Sequence, residues 1–186
     1  MKLKQFESFK EYLLFEDEMV TTNEPCALMI KPQTTEVVTE SEECCNIDYC
    51  NEHNIPYFVE KYVRASCIVY TKGNICVIVK RHNINGKALG DVFSIALCDY
   101  LKEKGLPSVK CDNNDVMVDG YKVASGIEGE IDGYRYMGYQ ISLNQDMKTI
   151  ENVCKKTMVK NPKGLSDWGL TTEEMAEFCN NFWKKY

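Results

Sequence analysis

Residues 110–144 read KCDNNDVMVDGYKVASGIEGEIDGYRYMGYQISLN, and the turn signals inside this stretch organise the rest of the chain. Asp119-Gly120 follows the short apolar run Val116, Met117 and Val118, as expected at a two-residue hairpin. Tyr121, Val123 and Ile127 continue the return strand. Asp132-Gly133 then opens an extended run from Tyr134 to Leu143, where aromatic and apolar residues alternate with Arg135, Gln140 and Ser142. That period of two predicts a half-buried strand. Two features are chemical. Asn114-Asp115 stands at the mouth of a hydrophobic strand, and Lys122 follows a tight turn among the small or apolar residues Val123, Ala124 and Gly126. A lysine on a rigid hairpin can set its ammonium against a ligand carbonyl or phosphate. Position 122 can equally be the outward, polar position of an ordinary strand.

Composition bounds what surrounds this stretch. A chain of 186 residues suits one compact domain, residues 1–186, with a sizeable core, and 44% hydrophobic content argues against wholesale disorder. No apolar run approaches the ~20 residues that span a bilayer. The first twenty residues, MKLKQFESFKEYLLFEDEMV, carry acidic groups throughout and no apolar signal core, so a cytoplasmic location is expected. A net charge of −6 argues against a general nucleic-acid binder. Ten cysteines would mean a disulfide framework in a secreted chain; here Cys67, Cys76, Cys98 and Cys179 fall inside apparent strands and helices and read as reduced, small hydrophobes. Cys44, Cys45 and Cys50 lack the repeated Cys-x-x-Cys pairs of zinc ribbons, and neither His53 nor His82 completes a finger, so no metal site is expected.

The order Asn114-Asp115-Val116, then Asp119 to Gly126 (DGYKVASG), then Gly138 to Asn144 (GYQISLN) resembles the biotin/lipoate protein ligase family, which includes octanoyl and lipoyl transferases. The resemblance implies an α/β (α+β) fold, a mixed, largely antiparallel sheet with helices packed on one side, covering nearly the whole chain. It also implies that Lys122 is central to catalysis, with Asn114, Asp115, Gly126 and Asn144 shaping the pocket. Arg64-Ala65-Ser66-Cys67-Ile68-Val69-Tyr70 followed by Gly73-Asn74 matches the outline of the family's first pocket strand, placing Arg64, Ser66 and Tyr70 at the substrate. There the chain departs from the family: paired glycines appear as Ala65 and Ser66, and Thr71 stands where transferases carry histidine. Glycines in that turn let backbone N–H groups approach a carboxylate or phosphate, which a Cβ obstructs.

Members of the family move an acyl group onto a lysine of a small acyl-carrier or lipoyl-type carrier domain. Ligases activate lipoate, octanoate or biotin with Mg-ATP, the lysine matching Lys122 contacting the acyl-adenylate. Transferases take the acyl group from a carrier thioester and need no such cofactor, and some use a cysteine nucleophile. Cys154 is the candidate for that role here, although Val153-Cys154-Lys155-Lys156 lacks the family's Pro-Cys-Gly turn. Without the arginine- and glycine-rich loop of biotin ligases, the lipoate/octanoate branch is the closer likeness. Two readings stay open: acyl transfer or ligation onto a carrier lysine, and a member that has lost catalysis and binds a small ligand or a protein. The basic run Lys148, Lys155, Lys156, Lys160 and Lys163 can steer an acidic carrier or simply be a solvated face.

Outside the central stretch, apolar spacing predicts an opening helix from Ser8 to Val20, strands at Ala27–Ile30, Glu36–Thr39, Tyr57–Tyr62, Cys67–Tyr70 and Ile75–Val79, and a short helix within 40–54. Asp91 is expected to cap a helix that Gly105 ends, and Asp146 to cap another. Thr171 with Glu174 reads as the capping box of a closing helix whose Met175, Phe178 and Phe182 face the core.

Overall fold

The computed structural model describes residues 3–22, 24–60, 66–82, 88–111, 113–131, 133–155 and 161–185. In chain order the first half gives β1 (Leu3–Phe6), α1 (Phe9–Thr21), β2 (Cys26–Ile30), β3 (Glu36–Thr39), α2 (Ile47–Glu52), β4 (Tyr57–Val59), β5 (Cys67–Tyr70) and β6 (Ile75–His82). The second half gives α3 (Leu89–Glu103), β7 (Ser108–Lys110), β8 (Val116–Val118), β9 (Tyr121–Ile131), β10 (Tyr134–Ile141), α4 (Met147–Val153) and α5 (Thr172–Lys185). Single 3-10 turns lie at Glu42–Cys44 and Leu165–Trp168. The fold is α/β with two sheets. Seven strands run in the order β1-β2-β6-β10-β9-β8-β7, antiparallel except for β1 beside β2, and three more pair as β4-β3-β5.

The local signals explain most element ends. Asp119 and Gly120 both take left-handed backbone angles (φ 50° and 81°), as a tight hairpin between β8 and β9 requires. Gly105 (φ 84°) closes α3: its N–H donates to the Lys102 carbonyl and that of Leu106 to the Leu101 carbonyl, the paired bonds of a Schellman stop. Asp146 caps α4 as expected, and Ser8, expected as the first residue of α1, stands just before it as the cap, its hydroxyl accepting from Glu11 N–H (3.2 Å). The Thr171–Glu174 box is complete, with Thr171 N–H donating to Glu174 Oε2 (3.0 Å) and Glu174 N–H to Thr171 Oγ1 (3.2 Å). Thr171→Ala should therefore cost about 1 kcal/mol in urea unfolding, and Thr171→Ser should keep most of it.

Three expectations are corrected. Asp91 lies inside the first turn of α3 and pairs with Lys110 (2.8 Å), and the cap comes from Glu128 on β9, whose carboxylate accepts from Leu89 N–H (3.0 Å) and Gly90 N–H (3.2 Å). A long strand brought across the helix start supplies by tertiary contact what the local sequence lacks. The strand begun at Tyr57 ends at Val59, and residues 61–65 lie outside the described set. Helices cover both faces of the large sheet, not one. On the first face α3 and α5 pack Phe93, Leu97, Met175 and Trp183 onto Val77, Val79, Met137, Tyr139 and Ile141. On the second, Phe9, Tyr12 and Met19 of α1 meet Leu28, Ile30 and Cys76, with Val38 and Tyr70 of the small sheet. The small sheet's far side packs on α2 and α4 through Val37, Val69, Ile150 and Val153.

A buried polar network marks the second core. Lys80, fully buried, donates to the Met19 carbonyl (2.8 Å) and the Thr22 carbonyl at the end of α1, its ammonium 4.3 Å from the Tyr134 ring centroid. Tyr12 hydroxyl donates to Glu16 Oε1 (2.5 Å). Burial, followed by a hydrogen bond with Glu60, pushes the Glu16 carboxyl from 4.5 up to about 7. Its folded pKa is raised, so its contribution to stability is whole below pH 4.5 and lost as the pH rises through about 7. Thermal melts across that window should show the wild type losing stability with pH and Glu16→Gln losing less.

Candidate functional site

The geometry around Lys122 turns on one extra residue. β8 and β9 pair Met117 with Lys122 but Val116 with Ala124, leaving Val123 as a bulge. A bulge reverses the in-out alternation beyond it and re-aims the neighbouring side chain. Val123 and Ala124 therefore both enter the first core, while Lys122 and Ser125 share the second face. Ser125 pairs with Gln140 of β10, Ile127 pairs with Gly138, and Gly138 pairs with Ile78 of β6, so these positions continue the same face. Lys122, Ser125 and Gln140 are all half-buried. At Gly138 an added Cβ would meet nothing closer than Ile127 at 3.7 Å, so the row passes over an open, flat patch. Gln140 Nε2 donates to the Val69 carbonyl (3.4 Å) and ties this row to β5.

Lys122 is held from both sides. Its N–H donates to the Asn161 carbonyl (2.9 Å), and its carbonyl accepts from Lys163 N–H (3.0 Å), so the returning chain pairs with it opposite Met117. Gly164 makes this approach feasible: a Cβ there would lie 2.2 Å from the Leu143 carbonyl oxygen. The backbone is fixed, yet among the described residues the Lys122 ammonium has no hydrogen-bond or ion-pair partner. A second cation belongs to the adjoining chain and is better tied: Lys163 Nζ sits 4.4 Å from the Trp168 ring centroid and 5.0 Å from that of Tyr121, with Asp167 at 3.8 Å.

The other expected site residues fall into three groups. Asn114, Asp115 and Gly126 come together on the first face. Tyr139 hydroxyl donates to the Asn114 carbonyl (2.7 Å), and its ring fills the space above Gly126. Asn114 holds a left-handed backbone (φ 61°), its side chain lies against Gly90 at the start of α3, and its Oδ1 is buried without a partner among the described residues. Asp115 is buried and accepts from Asn113 Nδ2 (3.0 Å). This group and the Lys122 ammonium project from opposite faces. Asn144 belongs to a latch at the end of β10: it reaches the Lys72 carbonyl (2.9 Å) and Ser166 Oγ (2.9 Å), while buried Asn74 Oδ1 accepts from Leu143 and Asn144 N–H. Thr71 donates its hydroxyl to the Asn144 carbonyl.

Near β5, the Ser66 carbonyl accepts from Thr39 Oγ1 (2.8 Å), and Tyr70 is core, its ring 4.2 Å from that of Phe9 and its phenol pushed well up by burial. Cys154 is half-buried and stands opposite Cys45 across a β-bridge. Arg64 lies outside the described residues. Among the described residues no three His, Cys, Asp or Glu side chains converge as a metal site requires, and no helix is long and apolar enough to cross a membrane. Ser125, Gln140 and Glu128 were not anticipated; the polar Gln140 within an alternating strand was the one signal available. A separate open cleft of about 510 Å3 lies between β1 and α5, lined by Gln5, Lys31, Glu173, Asn180 and Lys184.

No family model matches the sequence, and no curated protein does. Solved structures do match. A bi-partite lipoate protein ligase from Thermoplasma acidophilum, studied with its E2 lipoyl domain, superposes with a TM-score of 0.76 at 14% identity over 96% of this chain and 80% of its own. Lipoate-protein ligase A bound with ATP gives 0.74 at 13% identity, over 96% and 82%. LipL1 of P. falciparum in complex with lipoate gives 0.74 at 12% identity, covering 99% of this chain, which spans 60% of LipL1. At such identities likeness speaks for the fold, and the fold of this chain is that of the lipoate-protein ligases.

Proposed function

We propose that this protein joins or transfers a lipoyl- or octanoyl-type acyl group to a lysine of a small carrier domain. The half-buried ammonium of Lys122, without a partner among the described residues and fixed on a bulged strand beside the row of Ser125, Gln140 and Gly138, carries the proposal. An extended acyl chain fits along Ser125, Gln140, Gly138 and Ile78, with its carboxyl end at Lys122. As the carbonyl is attacked, negative charge grows on its oxygen, and a preset ammonium stabilises that charge more than the neutral ground state. The carrier lysine must arrive neutral to act as nucleophile, which a neighbouring cation favours.

The ligase route is the first reading. Mg-ATP would supply activation of the acid, and the Lys122 ammonium fits an anionic activated group. Mg2+ would enter on the nucleotide's own phosphates, as it commonly does. The N–H groups that open α3 are already taken by Glu128, so phosphate contacts fall to Lys122 and Ser66 and, as the resemblance implies, to Arg64, which lies outside the described residues. In the transferase route ATP would be dispensable, but the candidate nucleophile Cys154 packs with α2 and α4 on the far side of the small sheet, away from the Lys122 row, so the ligase route is the better supported of the two. Exposed Lys148 and Lys155 give an acidic carrier a place to dock.

One observation favours the other reading, a binding module without catalysis: Tyr70 and Phe9 fill space between the two sheets, and Thr71 is engaged in the Asn144 latch. Intact-mass measurement of a lipoyl-type carrier decides between them. Incubation with lipoate or octanoate and Mg-ATP, or with an octanoyl thioester alone, is expected to add the acyl mass to the carrier in at least one case. No gain from any donor with folded protein would leave the binding module.

A further inference from the structure

The large sheet ends at β1, and among the described residues nothing pairs with that strand's outer side. β1 runs parallel to β2, with Gln5 beside Met29 and Phe6 beside Ile30. The Phe6 carbonyl accepts from Lys31 N–H (2.9 Å), so Phe6 turns its backbone groups inward to β2. Backbone direction alternates along a strand, and Gln5 therefore turns its N–H and carbonyl outward, to the free edge. Side chains alternate too. Leu3 joins Ala27 and Met29 in the first core, which puts Gln5 on that face. Phe6 packs against the second core, and Lys4 Nζ lies 3.4 Å from the centroid of the Phe15 ring beside it.

The cleft of about 510 Å3 opens along this edge. Its wall on α5 is a single helical stripe, Glu173, Ala176, Glu177, Asn180, Asn181 and Lys184, acidic at its start and basic at its end. Thr172 Oγ1 donates to the Gly73 carbonyl (2.9 Å) and Gly73 N–H to the Pro32 carbonyl (3.3 Å), so α5 starts near the end of β2 and runs back along β1. Among the described residues no polar side chain of the stripe, nor that of Gln5 or Lys31, has a hydrogen bond or ion pair. An edge strand with free backbone groups, beside an unengaged polar wall, is a template for an added strand.

We propose that the added strand is β1 of a second copy of this chain, paired antiparallel about a two-fold axis that passes between the two Gln5 residues, normal to the sheet. Such an axis keeps each face continuous, so only residues of the same face stand opposite one another. Two registers overlapping most of β1 meet this condition. One sets Lys4 against Lys4, two like charges directly opposed. The other sets Gln5 against Gln5 and Lys4 against Phe6 of the second copy. In that register the two Gln5 residues exchange both N–H···O bonds, as a hydrogen-bonded antiparallel pair does, and each Lys4 ammonium gains a further aromatic ring. The same axis runs the two α5 helices in opposite directions on one face, so Glu173 and Glu177 of one copy approach Lys184 of the other. The second copy's Gln5 amide enters the cleft toward Asn180 and Asn181. A surface acidic at one end, basic at the other and amide-rich between is complementary to itself.

Sedimentation velocity over a micromolar-to-millimolar series tests this without any assay of activity. The expected result is a concentration-dependent species of twice the 21.4 kDa chain mass. Gln5→Pro removes an N–H that the single chain leaves unused and keeps the bonds between β1 and β2. It should weaken dimerisation on the order of ten-fold or more, two symmetry-related bonds going at once, with little change in the melting curve. A second substitution reads the register. Opposed Cα atoms of a hydrogen-bonded pair lie about 5.5 Å apart, within a disulfide's span. Gln5→Cys should therefore cross-link two chains under mild oxidation, with the bond mapped to the introduced thiols. Lys4→Cys should not, because the two Lys4 positions stand diagonally. A wild type that stays monomeric throughout, a dimer untouched by Gln5→Pro, or a folded Gln5→Cys that cross-links no better than Lys4→Cys would each overturn the proposal.

Discussion

Lys122→Ala is expected to lower the rate of carrier acylation by about 10²–10³-fold, the range seen when one preorganised stabiliser of a developing oxyanion is removed. The loss should fall on kcat more than on KM, because the ammonium is placed against charge that appears during reaction. Stability should hardly change. Lys122 is half-buried and its ammonium has no partner among the described residues, so truncation breaks only stem packing; its backbone bonds to Asn161 and Lys163 persist in alanine. Melting curves that superpose, combined with a collapsed kcat, separate this role from a structural one. An equally large fall in thermal stability would instead make Lys122 a scaffold residue.

The largest expected effect on folding comes from Gly126→Ala. An added Cβ would stand 2.2 Å from Tyr139 Cδ2 and 2.6 Å from Cε2. The ring cannot swing aside: it is fully buried, packs edge-on against Phe93 at 4.8 Å, and is anchored by its hydroxyl to the Asn114 carbonyl. The flexible alternative, a shift of β9, would move the strand that carries Lys122. A cost of about 3 kcal/mol, the upper end for overpacking, is expected in chemical denaturation. Adding Tyr139→Leu should recover part of that loss. A near-neutral Gly126→Ala would mean that the Tyr139 ring repacks freely.

These two positions also show what the sequence made legible. Both Asp-Gly hairpins, the Asp146 and Thr171 caps and the Gly105 stop are local chemistry, readable wherever a turn type or an orphan N–H selects its residue. The three ordered landmarks led to the right fold at an identity that leaves sequence matching silent. The faces were harder. Counting by twos from Lys122 puts Ala124 and Gly126 beside it, but the bulge at Val123 substitutes Ser125 and sends Gly126 under Tyr139. A bulge is set by pairing with β8, which no local signal announces. The cap on α3 was hidden for the same reason: Glu128 is thirty-eight residues from Gly90 in sequence, and only the sheet brings them together. Packing on one side was the expectation, and α1 with the small sheet occupies the other because β2, β6 and β10 are apolar on both faces.

The most direct test of the account is a crystal structure with octanoate or lipoate bound. The acid is expected on the second face of the large sheet, its chain along Ser125, Gln140, Gly138 and Ile78 and its carboxylate within hydrogen-bond distance of Lys122 Nζ. Binding in the cleft between β1 and α5, or a Lys122 ammonium turned away from the bound acid, would contradict it.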